Sequence, residues 1–540
     1  MLTLAIHEHS IEIKSGTKIM DIIKDREDRE HIYAGVLNGK LHDLNYQIKK
    51  GGTLQFVYDT SETGRLIYER TLSFLLIAAV YELDKNAIVH VEHSLSDGQY
   101  CEIEKDGFLT PKDVRNIEQK MKEIIKRKEV IFRNVVSTQD AVTLFCAKGM
   151  KDKAQLLKNR KSKSSSIYTL CGYEDYFYGI MLPDTSYIQH FSIRYYAPGL
   201  WLSPSDTFKN QTKLFQVFQE YEEWGKLIGV SNVSSLNQNI IDGKMDDMVL
   251  MSETMVEKKL SELASNIVTQ HAHTKFILIA GPSSAGKTSF ANRLSIHLKI
   301  LGKNPVAISM DNYYRNREDC PKLADGSYDF ESLEALDLTL LNETMLKLLH
   351  KQPVKLPVFN FMTGMREWQS HEIVLQEEDI LIIEGIHGLN PQTSAYLPED
   401  AKFKIYINAL THLNLDEHNR IPTSDYRLIR RIARDYRTRT WSAQSTIHFW
   451  KNVKHGEDTY IYPYQEEADV IFNTSMIYEL SILKKTVVPL LAQVKPEEAE
   501  YLEANRLNKF LEYFVEGEEG AIPRHSILAE FIGNSIFDVS

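Results

Sequence analysis

One short stretch carries the densest chemistry. From residue 281 to 288 the chain reads Gly-Pro-Ser-Ser-Ala-Gly-Lys-Thr, the spacing G-x-x-x-x-G-K-T. Glycines let a backbone curl until its N–H groups converge on phosphate oxygens. Gly281, Ser283, Ser284, Ala285, Gly286 and the following Ser289 are therefore expected to line a polyphosphate. Lys287 sets a cation against the outer phosphates, and Thr288 offers a hydroxyl to Mg²⁺. The helix predicted from about Lys287 to Leu298 adds the positive end of its dipole. The cofactors this pattern calls for are ATP and Mg²⁺.

Other candidates stand just after apolar runs. Asp311, in ISMDNYYR, is placed to accept or orient the proton of a substrate hydroxyl, with a Mg²⁺ or capping role as the alternative. Glu384, in ILIIEGIHGL, is read as holding Mg²⁺, directly or through water. The segment DYRLIRRIARDYRTRT carries Arg427, Arg430, Arg431, Arg434, Arg437 and Arg439. Arg427, Arg431 and Arg434 fall on one helical face by their spacing of three to four. That face predicts a lid clamping transferring phosphates; a solvated helix is the plain alternative.

These groups need strands and helices to position them. Phe276 to Ala280 is an apolar run suited to a buried parallel strand. Pro305 to Met310, Asp379 to Ile383, Phe403 to Ile407 and Val470 to Phe472 are further strand candidates with helices between them. The pattern predicts a doubly wound parallel α/β sheet, with ligands outside the C-terminal ends of its strands. Residues 1–62 are β-rich: LTLAIHEHSIEI alternates like paired strands, Thr17 to Lys24 reads as a short helix, and Asn38-Gly39 signals a hairpin. Residues 63–225 are mixed α and β. Ile67 to Leu83 and Val114 to Lys128 read as helices, the second started by Thr110-Pro111. Residues 245–270 read as a helix. Lys148 to Lys163 holds seven Lys or Arg and reads as a solvated loop, with an RNA or phosphate contact as the alternative.

Composition narrows the classes. A chain of 540 residues suggests three or so domains. The net charge of -11 and pI near 5.9 disfavour generic binding to nucleic acid or anionic membrane. Cys101, Cys146, Cys171 and Cys320 are scattered, which argues against a zinc ribbon or disulfide frame and for a reducing, cytoplasmic setting. The first residues lack the basic and apolar regions of a signal peptide. The longest apolar run, around Leu75 to Val80, falls far short of the ~20 residues a membrane span needs.

The set GPSSAGKT, SMDNYYR, YDFESLEALD, LPVFNF, IIEGIHGL and RRIARDYRTR, in that order over roughly 271–475, resembles the uridine kinase family of the uridine kinase–phosphoribulokinase group. The resemblance implies that Asp311 is the catalytic base and Tyr314 the tyrosine beside it. It implies that Glu331 holds a ribose diol, and that Arg431, Arg434 and Arg439 are lid arginines. There are departures. Glu331 is one methylene longer than the usual Asp, the base-recognising tyrosine and histidine fall on Phe359 and Gly364, and a lid arginine falls on Trp441. Residues 1–62 resemble the TGS domain, a ubiquitin-like β-grasp module. Residues 63–225, through ERTLSFLLIAAVYEL, SDGQYCEIE and FLTPKDVRNIEQKMKEII, resemble the second, editing-related α+β domain of threonyl-tRNA synthetase. That domain's HxxxH pair falls on Arg70 and Phe74, and its later Cys and His on Phe177 and Met181, so its hydrolytic chemistry is expected to be lost.

The expected order is thus a TGS-like module at 1–62, a synthetase-like domain at 63–225 and a helical linker at 226–270. A kinase-like domain at 271–480 and a helical extension at 481–540 follow. The implied activity is transfer of the ATP γ-phosphoryl group to a hydroxyl of a small molecule, foremost the 5′-OH of a nucleoside such as uridine or cytidine. Tyr314, Glu331, Phe359 and Arg439 are the expected acceptor contacts. Two alternatives stay open. Phe359 and Gly364 motivate a kinase of another sugar-like alcohol, and the TGS-like module motivates an RNA- or ribosome-associated ATP-binding regulator. The expected partner is a nucleoside or polyol acceptor, with no membrane, nucleic acid only through the TGS-like module, and a homo-oligomer left open.

Overall fold

A computed structural model describes residues 1–6, 9–323, 326–360, 362–411 and 413–538. His7 and Glu8, inside the first predicted strand pair, and Phe361, which ends the LPVFNF motif, lie outside the described residues. The chain opens with β1 (Leu2–Ile6), β2 (His9–Ile13), α1 (Ile19–Ile23), β3 (Ile32–Leu37), β4 (Lys40–His42) and β5 (Gly52–Tyr58). Their sheet order is β2-β1-β5-β3-β4. The Asn38-Gly39 turn joins β3 to β4 with both residues at positive φ, 49° and 75°. That is the conformation the hairpin signal asks for.

The next stretch begins with α2 (Glu62–Leu83), whose residues 71–80 are all buried. Then come β6 (Ile88–Leu95), β7 (Gly98–Glu104) and α3 (Pro111–Arg127). α3 starts where predicted because Thr110 and Asp113 form a reciprocal capping box. After them run β8 (Phe132–Ser137), α4 (Thr138–Ala147), α5 (Lys151–Lys158), β9 (Ser164–Leu170), β10 (Tyr173–Tyr176), β11 (Ser192–Tyr196) and β12 (Gly199–Ser203). They build a sheet β10-β9-β8 and a sheet β11-β12-β7-β6. The expected solvated loop at 148–163 is corrected here, because half of it is helix α5. Lys153 in it is wholly buried, paired with Asp175 and 3.7 Å from Asp416. Burial opposes its charge, but those two carboxylates hold its pKa above the ordinary lysine range.

Helices α6 (Thr212–Leu227), α7 (Val233–Ile241) and α8 (Met245–Gln270) lead into β13 (Phe276–Ala280), α9 (Lys287–Ile300), β14 (Asn304–Ser309) and α10 (Leu338–Leu349). A hairpin, β15 (Val354–Asn360) with β16 (Met365–Ile373), precedes β17 (Asp379–Glu384), β18 (Lys402–Asn408), α11 (Thr423–Arg439), α12 (Ala443–Tyr460) and β19 (Val470–Asn473). The five strands β14-β17-β13-β18-β19 are all parallel, as the sequence predicts. Side chains alternate across β13. Ile277 and Ile279 face Phe290 and Leu294 of α9, while Phe276 and Leu278 face Leu341 and Met345 of α10. A sheet covered on both faces needs strands that are apolar throughout, and all five residues of β13 are buried. Helices α13 (Glu479–Leu491), α14 (Tyr501–Leu511) and α15 (Ala529–Ile532) close the chain. Among the described residues, no helix is long and apolar enough to cross a membrane.

Candidate active site

The strand register brings the predicted groups to one edge. Glu384, last in β17, pairs with Ile279 on one side and Ser309 on the other. The loop from Gly281 leaves β13 at this level, and Asp311 follows Ser309 by two residues in a 3₁₀ turn. A Cβ on Gly281 would strike the Ile407 carbonyl, so only glycine fits where the loop leaves the sheet. Ser284 and Gly286 hold φ of 60° and 83°, the left-handed turns that curl the loop. Lys287 folds back over it, its Nζ donating to the carbonyls of Gly281 at 3.0 Å and Pro282 at 3.4 Å.

The loop is tethered from outside. Arg427 donates to the Ser283 carbonyl at 3.0 Å and Arg430 to the Ser284 carbonyl at 3.2 Å. Thr474 donates to the Ala285 carbonyl at 2.6 Å, and the Ser283 N–H donates to Glu457 at 3.0 Å. Arg427 pairs with Glu457 at 2.5 Å and Arg430 with Glu479, and all four side chains are at most 1% exposed. Arg427 therefore braces the loop, and the sequence-based grouping of it with the clamping arginines is corrected. Its guanidinium is already committed. Glu457 and Glu479 carry no sequence signal, since they lie 30 and 49 residues from their partners in chain order.

Ser289 also departs from expectation. Its side chain is fully buried and donates to Glu530 at 2.7 Å. Only its backbone remains for a phosphate, in the first turn of α9 where N–H groups lack intrahelical partners. Around it sits the C-terminal segment. Ile527 lies so close to Gly286 that an added Cβ would meet it at 2.6 Å, and the Arg430 guanidinium lies 4.7 Å from the centre of the Phe531 ring. Ser284 Oγ is buried with no hydrogen-bond partner among the described residues.

Three carboxylates share the field of Lys287. Burial pushes Glu384 up to about 7, Lys287 pulling it down and Asp311 and Glu530 pushing it further up. Burial likewise pushes Glu331 up to about 7, with Arg431 lowering it and Glu457 raising it. Asp311 is raised by burial and lowered by Lys287 and Arg439. Glu384 and the Thr288 hydroxyl in the first turn of α9 are hard oxygen donors of the kind Mg²⁺ takes. Tyr314 packs its ring 5.7 Å from that of Phe359 and donates to the Phe330 carbonyl at 3.0 Å. Glu331 lies against α12, where a Cβ on Gly456 would meet its Cβ at 2.6 Å. His387 is 1% exposed, both ring nitrogens lack a partner among the described residues, and burial pushes it down to about 4, so it is neutral.

On α11 the remaining arginines gather around Asp435. Arg431 donates to it at 3.1 Å and Arg434 at 2.8 Å, and Arg439 stands 3.9 Å away. Arg431 also donates to Ser283 Oγ at 2.8 Å, so it reaches the loop directly. Arg439 stacks over Trp441 at 5.8 Å. Gly364 has φ of 73°, and a Cβ there would press on Arg317.

Three of the four places inherited from the editing-like pattern, Phe74, Phe177 and Met181, share one apolar core. Phe74 and Phe177 touch edge to face at 4.9 Å, Arg70 donates to the Ile180 carbonyl at 2.7 Å, and Met181 is 1% exposed.

Comparison with known proteins agrees with this architecture. Residues 276–480 match the model of the Phosphoribulokinase / Uridine kinase family. The N-terminal region matches threonyl-tRNA synthetases. The chain is 29% identical over 192 residues to threonine–tRNA ligase of Pelobacter propionicus, covering 35% of this chain and 30% of that one. It is 30% identical over 203 residues to threonine–tRNA ligase 1 of Bacillus subtilis, covering 37% and 31%. The chain thus spans under a third of the curated relatives it matches. Among solved structures, a possible uridine kinase from Bacillus stearothermophilus aligns with TM-score 0.29 and 18% identity, covering 41% of this chain and all of that one. A D-glycerate 3-kinase from Cryptococcus neoformans aligns with TM-score 0.22 and 15% identity, covering 49% and 89%.

Proposed function

We propose that the protein transfers the γ-phosphoryl group of ATP to a hydroxyl of a small molecule, foremost the 5′-OH of a nucleoside. One observation carries the reading: the parallel register puts Asp311, Glu384 and the Lys287 loop at the same strand ends. The loop amides and Lys287 hold the phosphates, and Thr288 and Glu384 hold Mg²⁺, which draws charge off them when bound. Asp311 takes the proton of the acceptor hydroxyl as its oxygen bonds to phosphorus. A carboxylate raised by burial is the better base for that step. Arg431, already on the loop through Ser283, and Arg434 neutralise charge on the transferring group.

Glu331 supports the nucleoside over other alcohols. A buried carboxylate within reach of Arg431 and Lys287 suits two neighbouring hydroxyls. Phe359 supports the second reading, a kinase of another sugar-like alcohol. It is 4% exposed and packs edge to face on Tyr314, an apolar wall where a pyrimidine would need polar contacts.

Kinetics of two variants test both. Asp311→Asn should lower kcat by about 100-fold or more with ATP affinity little changed. Glu331→Gln should raise KM for a ribonucleoside while leaving its 2′-deoxy partner nearly unaffected, because the lost contact is to the hydroxyls. Unchanged kcat in the first variant removes Asp311 as base. Equal KM values in the second, for both acceptors, remove the ribose contact and leave the sugar-like alcohol.

A further inference from the structure

Away from the phosphate loop, a small cavity of about 70 Å³ opens between α2 and the segment that leads into α11. Three arginines line it: Arg70 of α2, Arg420 just before α11, and Arg506 of α14. Two carboxylates line it with them, Glu69 and Asp425, both already engaged, and Arg506 takes a third, Glu503, from outside the lining. Asp425 is held by Arg506 through two hydrogen bonds, at 2.6 and 2.7 Å. Glu69 is held by Arg65 at 2.7 Å and stands 3.8 Å from Arg420. Arg420 makes no hydrogen bond among the described residues, and that loose approach to Glu69 is its only ion pair among them. Arg70 spends one N–H on the Ile180 carbonyl and has no carboxylate partner among them. The cavity therefore holds more guanidinium than carboxylate.

His418 lines the cavity and is 5% exposed. Its Nδ1 meets Asp175, while its Nε2 has no hydrogen-bond partner among the described residues. Leaving the buried His418 Nε2 without a partner is costly, and Arg70 and Arg420 have N–H donors to spare beyond the one carbonyl and the one loose ion pair. Something with several acceptor oxygens would answer the arginines. At about 10–15 Å³ of such volume per water, the space takes roughly five or six water-sized atoms. That is the size of a single oxyanion group and too small for a nucleoside.

We propose that this cavity binds a small oxyanion, a carboxylate or phosphate group, with Arg420 and Arg70 as its principal donors. Planar guanidinium forks match such anions in two-bond geometry. The site sits at the foot of the arginine helix, since Asp425 lies in the first turn of α11 and ties it to Arg506. An anion drawn onto these arginines touches the base of the helix whose Arg427, Arg430 and Arg431, in its first half, reach the phosphate loop. The proposal is independent of the kinase reading.

The test uses the full chain carrying Lys287→Ala, so that the phosphate loop does not itself take the anion. Thermal unfolding is followed while sodium phosphate or sodium acetate replaces sodium chloride at constant ionic strength. At least one of the two should raise the melting temperature with saturable dependence, and which one does so identifies the group. Adding Arg420→Gln, or separately Arg70→Gln, should weaken the apparent affinity by about tenfold or more. Arg420→Lys, which keeps the charge and the fold, should lie between. No rise with either anion overturns the proposal. So does equal affinity with and without the arginine substitutions.

Discussion

Glu331 shows how burial writes a pH dependence into a single side chain. Its carboxyl is pushed up to about 7 from an ordinary 4.5, burial being the largest cause. A raised acid favours folding while protonated, so its contribution is fully present below about pH 4.5 and is lost as pH rises through about 7. Glu331→Gln removes that loss. The variant's stability relative to wild type should therefore be more favourable at pH 8 than at pH 5, by on the order of 1 kcal/mol. Denaturant unfolding at both pH values checks this, and identical differences would contradict it. At this scale the loop was legible, because phosphate binding by backbone fixes both residue type and spacing from Gly281 to Thr288. Ser289 was not fully legible. Its hydroxyl turns to Glu530, a residue 241 positions away that only the fold brings near.

At the scale of elements, α11 departs most from its sequence. Six arginines at helical spacing look alike in the chain, yet the fold divides their work. Arg427 and Arg430 are buried braces paired with Glu457 and Glu479, while Arg431, Arg434 and Arg439 surround Asp435 at the loop. Breaking a buried pair by removing one partner leaves a charge uncompensated, at a cost of about 3–5 kcal/mol. Glu457→Gln should lose stability on that order, because it also weakens the contact to the Ser283 N–H. Urea unfolding measures it, and a loss below about 1 kcal/mol would show that the pair does not hold the loop. The parallel strands were legible to within a residue or two, since strands buried on both faces must be apolar throughout. Helix α5 was not, because a run dense in lysine and arginine reads as solvated until Asp175 and Asp416 are seen around Lys153.

At the scale of the whole molecule, a region that matches the phosphoribulokinase/uridine kinase family model is joined to one like threonyl-tRNA synthetase whose four ligating places hold Arg70, Phe74, Phe177 and Met181. Catalytic zinc needs about three protein ligands, and these side chains offer none. Elemental analysis should find no stoichiometric zinc, and misacylated tRNA should not be hydrolysed; zinc bound within residues 63–225 would contradict this. If that region instead takes RNA, filter binding of tRNA should appear and fall steeply with salt. Phosphoryl transfer is tested with γ-labelled ATP offered with a panel of nucleosides and sugar-like alcohols. Label should pass to one class of acceptor with release of ADP. In Lys287→Ala, which loses its strongest phosphate donor, transfer should fall by about 100-fold or more. No transfer to any acceptor, or near-normal ATP consumption in that variant, would contradict the account.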